Sequence, residues 1–130
     1  NFQKIFKIPD AYRSLKENGF LDFKSTSIIR GVTFENAIVI LDECQNMTFH
    51  ELSSVLTRLG KNSRIIVIGD YLQRETSMKN TSGILDFLNI SKSLPELFSH
   101  IKFGEDDIVR SDFVKNWIIA ENKYFERKKK

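Results

Sequence analysis

The stretch Ala37-Ile38-Val39-Ile40-Leu41-Asp42-Glu43-Cys44-Gln45 decides the fold, because an apolar run of strand length stops abruptly at two adjacent carboxylates. A run that is apolar at every position reads as a strand buried on both faces of a parallel sheet. Its carboxyl end then faces the crevice in which open α/β sheets bind ligands. Nucleoside-triphosphate hydrolysis needs an acid pair at such a place. One carboxylate can hold Mg²⁺, usually through water, while its neighbour orients or deprotonates the attacking water.

A second run, Ile65-Ile66-Val67-Ile68-Gly69-Asp70, repeats the layout, and Gln73 follows three residues beyond its Asp. Two such strand ends put Asp42, Glu43, Asp70 and Gln73 on one rim of a sheet. Buried strands also stop at acidic residues simply because loops are polar and Asp favours turns. The order of the two runs, with a helix between them, weighs against that simpler reading.

The intervening helix is read from Thr48 to Leu59, with Phe49, Leu52, Val55, Leu56 and Leu59 as its apolar stripe. Thr48 and Glu51 form the S/T-x-x-E capping box, and Gly60 is expected to end the helix. Pro9 to Asn18, closed by Gly19, reads as a short helix, and Ser27 to Arg30 as an extended linking segment. Beyond the second run, Tyr71 to Asn80 reads as a loop, and Ser82 as the cap of a helix through Leu88. Ser93-Leu94-Pro95-Glu96 predicts a short helix to Ser99, followed by a strand at His100 to Phe103 and a turn at Gly104 to Asp107. From Ser111 onward, Phe113, Val114, Trp117, Ile118, Glu121, Tyr124 and Phe125 recur at helical spacing, and the aromatic stripe is expected to be core packing. Alternating strands and helices predict an α/β sheet.

With 41% hydrophobic and 28% charged residues in 130, including 11 Phe, the composition suits one globular domain with a real core. Cys44 is the single cysteine, so no intramolecular disulfide can form, and a reducing cytoplasm fits best. No stretch has the continuous apolar length of a membrane span, so no membrane partner is expected. The net charge of +3 comes from 20 basic and 17 acidic residues, and Arg127 to Lys130 supplies four of the basic ones. The body is nearly neutral, which weakens any electrostatic argument for nucleic acid, since a footprint should be a basic face and not only a tail. His50 and His100 have no companion Cys or His cluster, so zinc has almost no support. Cys44 lies beside two carboxylates, which disfavours a reactive thiolate.

Several motifs in order carry a resemblance. Arg30-Gly31-Val32-Thr33-Phe34, the Walker B-like Ile38 to Asn46, Leu56-Thr57-Arg58-Leu59-Gly60, Gly69-Asp70-Tyr71-Leu72-Gln73, Ser82-Gly83 and Asp107-Ile108-Val109-Arg110-Ser111 together resemble the C-terminal part of the PhoH-like ATPases. The wording Asn46-Met47-Thr48-Phe49-His50-Glu51 is similar to the bacteriophage branch. The resemblance implies a P-loop NTPase core with a three-layer, RecA-like parallel sheet, using ATP and Mg²⁺. It implies Asp42 as the Mg²⁺ residue, acting through water, and Glu43 as the residue that handles the attacking water. Gln73 would meet the γ-phosphate or that water, with Asp70 supporting its loop and Gln45 close behind. Arg110 would offset charge on the phosphates as an arginine finger does, the alternative being a surface ion pair with Asp106 or Asp112. Arg30 and Thr33, around Gly31, would contact nucleic acid or a neighbouring subunit, or only make a tight turn. Arg58 reads as a cation near a helix C-terminus.

The same resemblance exposes a gap. A phosphate-gripping loop needs G-x-x-x-x-G-K-[ST], whose amides and Lys hold the phosphates. The one Gly-Lys pair is Gly60-Lys61, but Asn62 follows it and Val55 stands at the first glycine position. The chain begins with Asn1, not Met, so residues 1–126 are expected to be the C-terminal part of one such domain, with 127–130 a basic tail. The sheet is then partial, lacking the phosphate-loop strand, and each buried group left unpaired at that gap costs about 1–3 kcal/mol. Two function classes stand. The first is part of an ATP-binding protein whose hydrolysis drives work on RNA or another nucleic acid, with RNA or single-stranded nucleic acid as a partner, in the cytoplasm or a phage host's cytoplasm, and with a homo-oligomer left open. The second is a non-catalytic module that binds nucleic acid or protein.

Overall fold

The computed structural model describes residues 5–7, 10–26, 28–29, 31–70 and 83–128. It is a mixed α/β structure in two compact units, Asn1–Ile90 and Ser91–Lys130. The first contains helix α1 (Ala11–Glu17), strand β1 (Ile38–Leu41), a 3₁₀ turn at Cys44–Asn46, helix α2 (Phe49–Leu56) and strand β2 (Arg64–Val67). Helix α3 (Ile84–Lys92) spans the boundary. The second unit adds a 3₁₀ turn at Glu105–Asp107 and helix α4 (Asp112–Lys128).

The two apolar runs pair in parallel, Ile38 opposite Arg64 through Leu41 opposite Val67, as their βαβ spacing demands. The sheet has two strands among the described residues, extended at its amino-terminal edge by a parallel bridge between Phe34 and Leu59. Helix α2 starts where the sequence places it. Thr48 Oγ1 accepts from the Glu51 N–H at 3.3 Å, and Glu51 Oε2 accepts from the Thr48 N–H at 2.8 Å, which completes the capping box. The Thr48 N–H and the Thr48 hydroxyl, each donating to Glu51 Oε2 at 2.8 Å, hold the Glu51 carboxyl below the usual carboxylate range. Leu52 and Val55 point inward, and with Ala11, Ile29, Leu41, Cys44, Ile84 and Phe87 they make the buried apolar set. Fully burying a side chain such as Leu52 contributes about 1.5–3 kcal/mol.

Several expectations are corrected. The strands are buried on one face only: Val39, Ile65 and Val67 are half-buried and Leu41 is buried, whereas Ile38 is 69% and Ile40 63% exposed, with Ile66 and Ile68 also exposed. A single crossover helix covers one face of a sheet, and an unbroken apolar run does not say whether a second layer exists. Helix α2 ends at Leu56, well before Gly60, which instead donates its N–H to the Phe34 carbonyl at 2.7 Å. A Cβ at residue 60 would lie 2.8 Å from Glu35 Cγ, so that glycine serves the close approach of two chain segments and not a helix stop.

No strand forms at His100 to Phe103. Ile101 and Phe103 stay exposed, because a strand needs a neighbour's ladder and none is present among the described residues. At Leu94 a single turn replaces the expected helix, the N–H groups of Leu97 and Phe98 both donating to its carbonyl. Leu94 precedes Pro95, which disfavours the helical region, and one isolated turn does not propagate. Ile28 and Ile29 lie in a turn and not an extended segment, while Ser27 and Arg30 are outside the described residues. Helix α3 runs on to Lys92, past Leu88. Its proposed cap Ser82, the loop residues 71–80, and Pro9 are likewise outside the described set. The α4 stripe forms but is not core: Phe113, Trp117, Tyr124 and Phe125 are all exposed. Periodicity reveals an apolar face, not the presence of something to cover it. No helix among the described residues is long and apolar enough to cross a membrane.

Candidate functional site

Asp42 is the first residue after β1, and Glu43 is the second. Because β1 and β2 are parallel and in register, Gly69 and Asp70 leave β2 on the same side, so both acid-bearing ends share one rim. Asp42 is exposed, and its Oδ1 accepts from the Glu43 N–H at 2.9 Å. That bond fixes the carboxylate relative to the turn. Glu43 itself adopts the left-handed conformation, φ 54° and ψ 33°, which a non-glycine residue holds at a cost of about 1–3 kcal/mol when its surroundings enforce it. The reversal starts the Cys44–Asn46 turn and brings the Glu43 side chain back toward its own turn.

Gln45 is the residue that holds this arrangement. It is buried, its Nε2 donates to Glu43 Oε2 at 2.7 Å, and its Oε1 accepts from the Asp70 N–H at 3.2 Å. One side-chain amide therefore spans the two strand ends. Beside it the Cys44 N–H donates to the Ile68 carbonyl at 3.1 Å, continuing the strand pairing past Leu41. Cys44 is wholly buried, and burial pushes its thiol up, helped by the negative charges of Asp42 and Glu43, so it is packing and not a nucleophile. Gly69 permits the fit: a Cβ there would lie 2.5 Å from Cys44 Sγ and 3.0 Å from Gln45 Oε1. The sequence shows Gly69 as one letter of a motif, and the general signal, a glycine closing an apolar strand, points to a close approach without naming the partner. Gly83 is a second such case, its N–H donating to the Met47 carbonyl while the Phe49 backbone leaves no room for a Cβ.

The other expected residues fall elsewhere. Gln73 lies outside the described residues, as does Arg30. Thr33 is exposed and sits beside Gly60 and Phe34, ahead of the amino-terminal end of β1, so the acid pair and the weak nucleic-acid candidate occupy opposite ends of that strand. Arg58 follows α2, its Nη1 reaching the Val32 carbonyl at 3.5 Å while its buried Nε has no partner. Arg110 belongs to the second unit, where it is exposed and forms no ion pair with Asp106 or Asp112.

The donor set suits one kind of metal. Among the described residues no group of three or more His, Cys, Asp or Glu side chains could cage an ion. Mg²⁺ does not need a cage: it keeps several waters and binds through one or two carboxylates plus substrate phosphates. An exposed Asp42 with one oxygen tied to the backbone meets that requirement, and Glu43, tethered by Gln45, stands next to it.

Comparison with known proteins finds similarity to one family. The family model described as PhoH-like protein matches residues 4–121. Protein PhoH of Escherichia coli K12 is 41% identical over 95 residues, 73% of this chain. A PhoH-like protein of Synechocystis is 37% identical over 114 residues, and one of Bacillus subtilis 33% over 114, each covering 88% of this chain. The chain spans 27% to 35% of the length of these relatives.

Proposed function

The chain belongs to the PhoH-like family, and from that premise we propose that residues 1–126 form the magnesium and water side of an ATP-hydrolysing P-loop domain with a RecA-like, three-layer sheet. The observation that carries the proposal is the shared rim of two parallel strands, with Asp42 and Glu43 on one end and Asp70 tied to them through Gln45 on the other. The bare Ile38, Ile40, Ile66 and Ile68 face supports a sheet that needs another layer.

In this reading Asp42 holds Mg²⁺ through water, and Glu43 orients and deprotonates the attacking water. Mg²⁺ when bound supplies charge neutralisation between the phosphates. The family resemblance gives Gln73 the γ-phosphate or the water as its partner and gives Arg110 the charge developing on the phosphates, and the basic residues 127–130 remain outside the chemistry. The phosphate cradle must come from residues other than these 130, since no G-x-x-x-x-G-K-[ST] occurs among them. The work driven in this reading is on RNA or another nucleic acid in the cytoplasm. The second reading is a non-catalytic module that binds nucleic acid or protein.

Grafting the chain in place of the matching segment of the Escherichia coli relative tests the assignment. With Glu43→Gln in the graft, Mg-ATP affinity is expected to hold while turnover falls ~10²–10⁴-fold, the worth of a positioned general base. Turnover equal to that of the unmutated graft would end the role of Glu43, and a graft that binds no Mg-ATP would favour the second reading.

A further inference from the structure

We propose that Gln45 is a positioning residue that couples Glu43 to the chain leaving β2, so that the placement of Asp70 and the orientation of the Glu43 carboxylate change together. The inference deepens the reading of Glu43 given above and rests on it for its catalytic meaning. The coupling itself stands on geometry alone.

A primary amide has two chemically different ends, and here both are committed. Nε2 donates to Glu43 Oε2 at 2.7 Å, and Oε1 accepts from the Asp70 N–H at 3.2 Å. The first bond is charge-assisted and short, which makes it the stronger of the two. It therefore decides which way the amide faces. With Nε2 held by Glu43, Oε1 faces the Asp70 backbone. If Glu43 turns away, the amide loses this charge-assisted contact and its bond to the Asp70 N–H weakens with it. Conversely, movement of the segment after β2 withdraws the Asp70 donor and loosens the tether on Glu43. Burial of Gln45 strengthens both effects, since water does not readily replace either partner. Cys44 and Gly69 pack beside the amide and keep its backbone in place, so the side chain is the movable part.

Amide hydrogen exchange on the full chain tests the coupling without nucleotide, so its outcome is independent of whether the protein hydrolyses ATP. The Ile68 amide, which donates to the Leu41 carbonyl at 2.8 Å, serves as the reference for intact strand pairing. Gln45→Leu is expected to speed Asp70 exchange about three- to tenfold, the loss of one net hydrogen bond, with Ile68 unchanged. Glu43→Ala is expected to speed Asp70 exchange in the same direction although Glu43 does not touch that amide, and to add nothing in the Gln45→Leu background. This non-additivity is the signature of a shared element. Gln45→Glu keeps the acceptor for Asp70 but repels Glu43, so Asp70 protection should persist and become insensitive to Glu43→Ala. If Glu43→Ala leaves Asp70 exchange unchanged, or if its effect adds fully to that of Gln45→Leu, the coupling is refuted.

Discussion

Gly69 approaches Cys44 so closely that a methyl group on residue 69 would lie 2.5 Å from Cys44 Sγ. The contact joins the end of β2 to the turn that follows β1, and it is what brings the Asp70 N–H within reach of Gln45. Overpacking of this kind typically costs about 1–3 kcal/mol. Gly69→Ala should therefore lower the denaturant midpoint, and the loss should be partly relieved when Cys44→Ala removes the sulfur. A double-variant cycle by urea unfolding checks it; strict additivity would show that the two residues do not press on each other.

At the start of α2 the capping box predicts both a magnitude and a pH dependence. Thr48→Ala should destabilise by about 1 kcal/mol, the usual worth of an N-cap. Hydrogen bonds from Thr48 hold the Glu51 carboxyl below its ordinary range. Its contribution is then complete above the unfolded glutamate pKa, about 4.3, and disappears as pH falls through its own lowered value. Glu51 is exposed, so the effect is small. The gap in stability between the unmutated chain and Glu51→Ala should be constant from pH 7 to 5 and close only in more acidic solution. A gap that closes at neutral pH would contradict the assignment.

One face of the sheet is covered and the other is bare, and substitutions should read that asymmetry. Leu52→Ala removes a fully buried side chain and should cost about 2–5 kcal/mol. Ile40→Thr changes a residue that is 63% exposed and retains β-branching, so stability should shift by less than about 0.5 kcal/mol. Chemical denaturation of the two variants decides between a one-faced and a two-faced sheet in the isolated chain. A large loss at Ile40 would show that its face is covered in solution.

Nucleotide affinity of these 130 residues alone should be low. The rim presents Asp42 and Glu43 to an anionic triphosphate, and the sequence holds no G-x-x-x-x-G-K-[ST] to offset the charge. Calorimetric titration with Mg-ATP should give a dissociation constant weaker than micromolar, the level that corresponds to about −8 kcal/mol. Micromolar binding would mean that another segment of the chain cradles the phosphates.

The sequence by itself determined the elements whose causes are local. Ile38 to Leu41 and Ile65 to Ile68 read as strands because they are apolar and short, and they are parallel because a helix of the right length separates them. Thr48 and Glu51 fixed the start of α2 because a capping box is complete within four residues. The placement of Asp42 and Glu43 on the rim shared with Asp70 follows from those elements. Family membership was legible too, because the spacing of several motifs survives in a linear pattern. Only the tertiary structure decided what lies on each apolar face, that Gly60 serves a close approach and not a helix stop, and that His100 to Phe103 finds no ladder partner among the described residues. It also decided that Gln45, bonded to Glu43, reaches Asp70 across 25 residues of chain. Alternation and period report what a segment could bury or pair with; whether a partner arrives depends on residues distant in sequence, and only their packing supplies it.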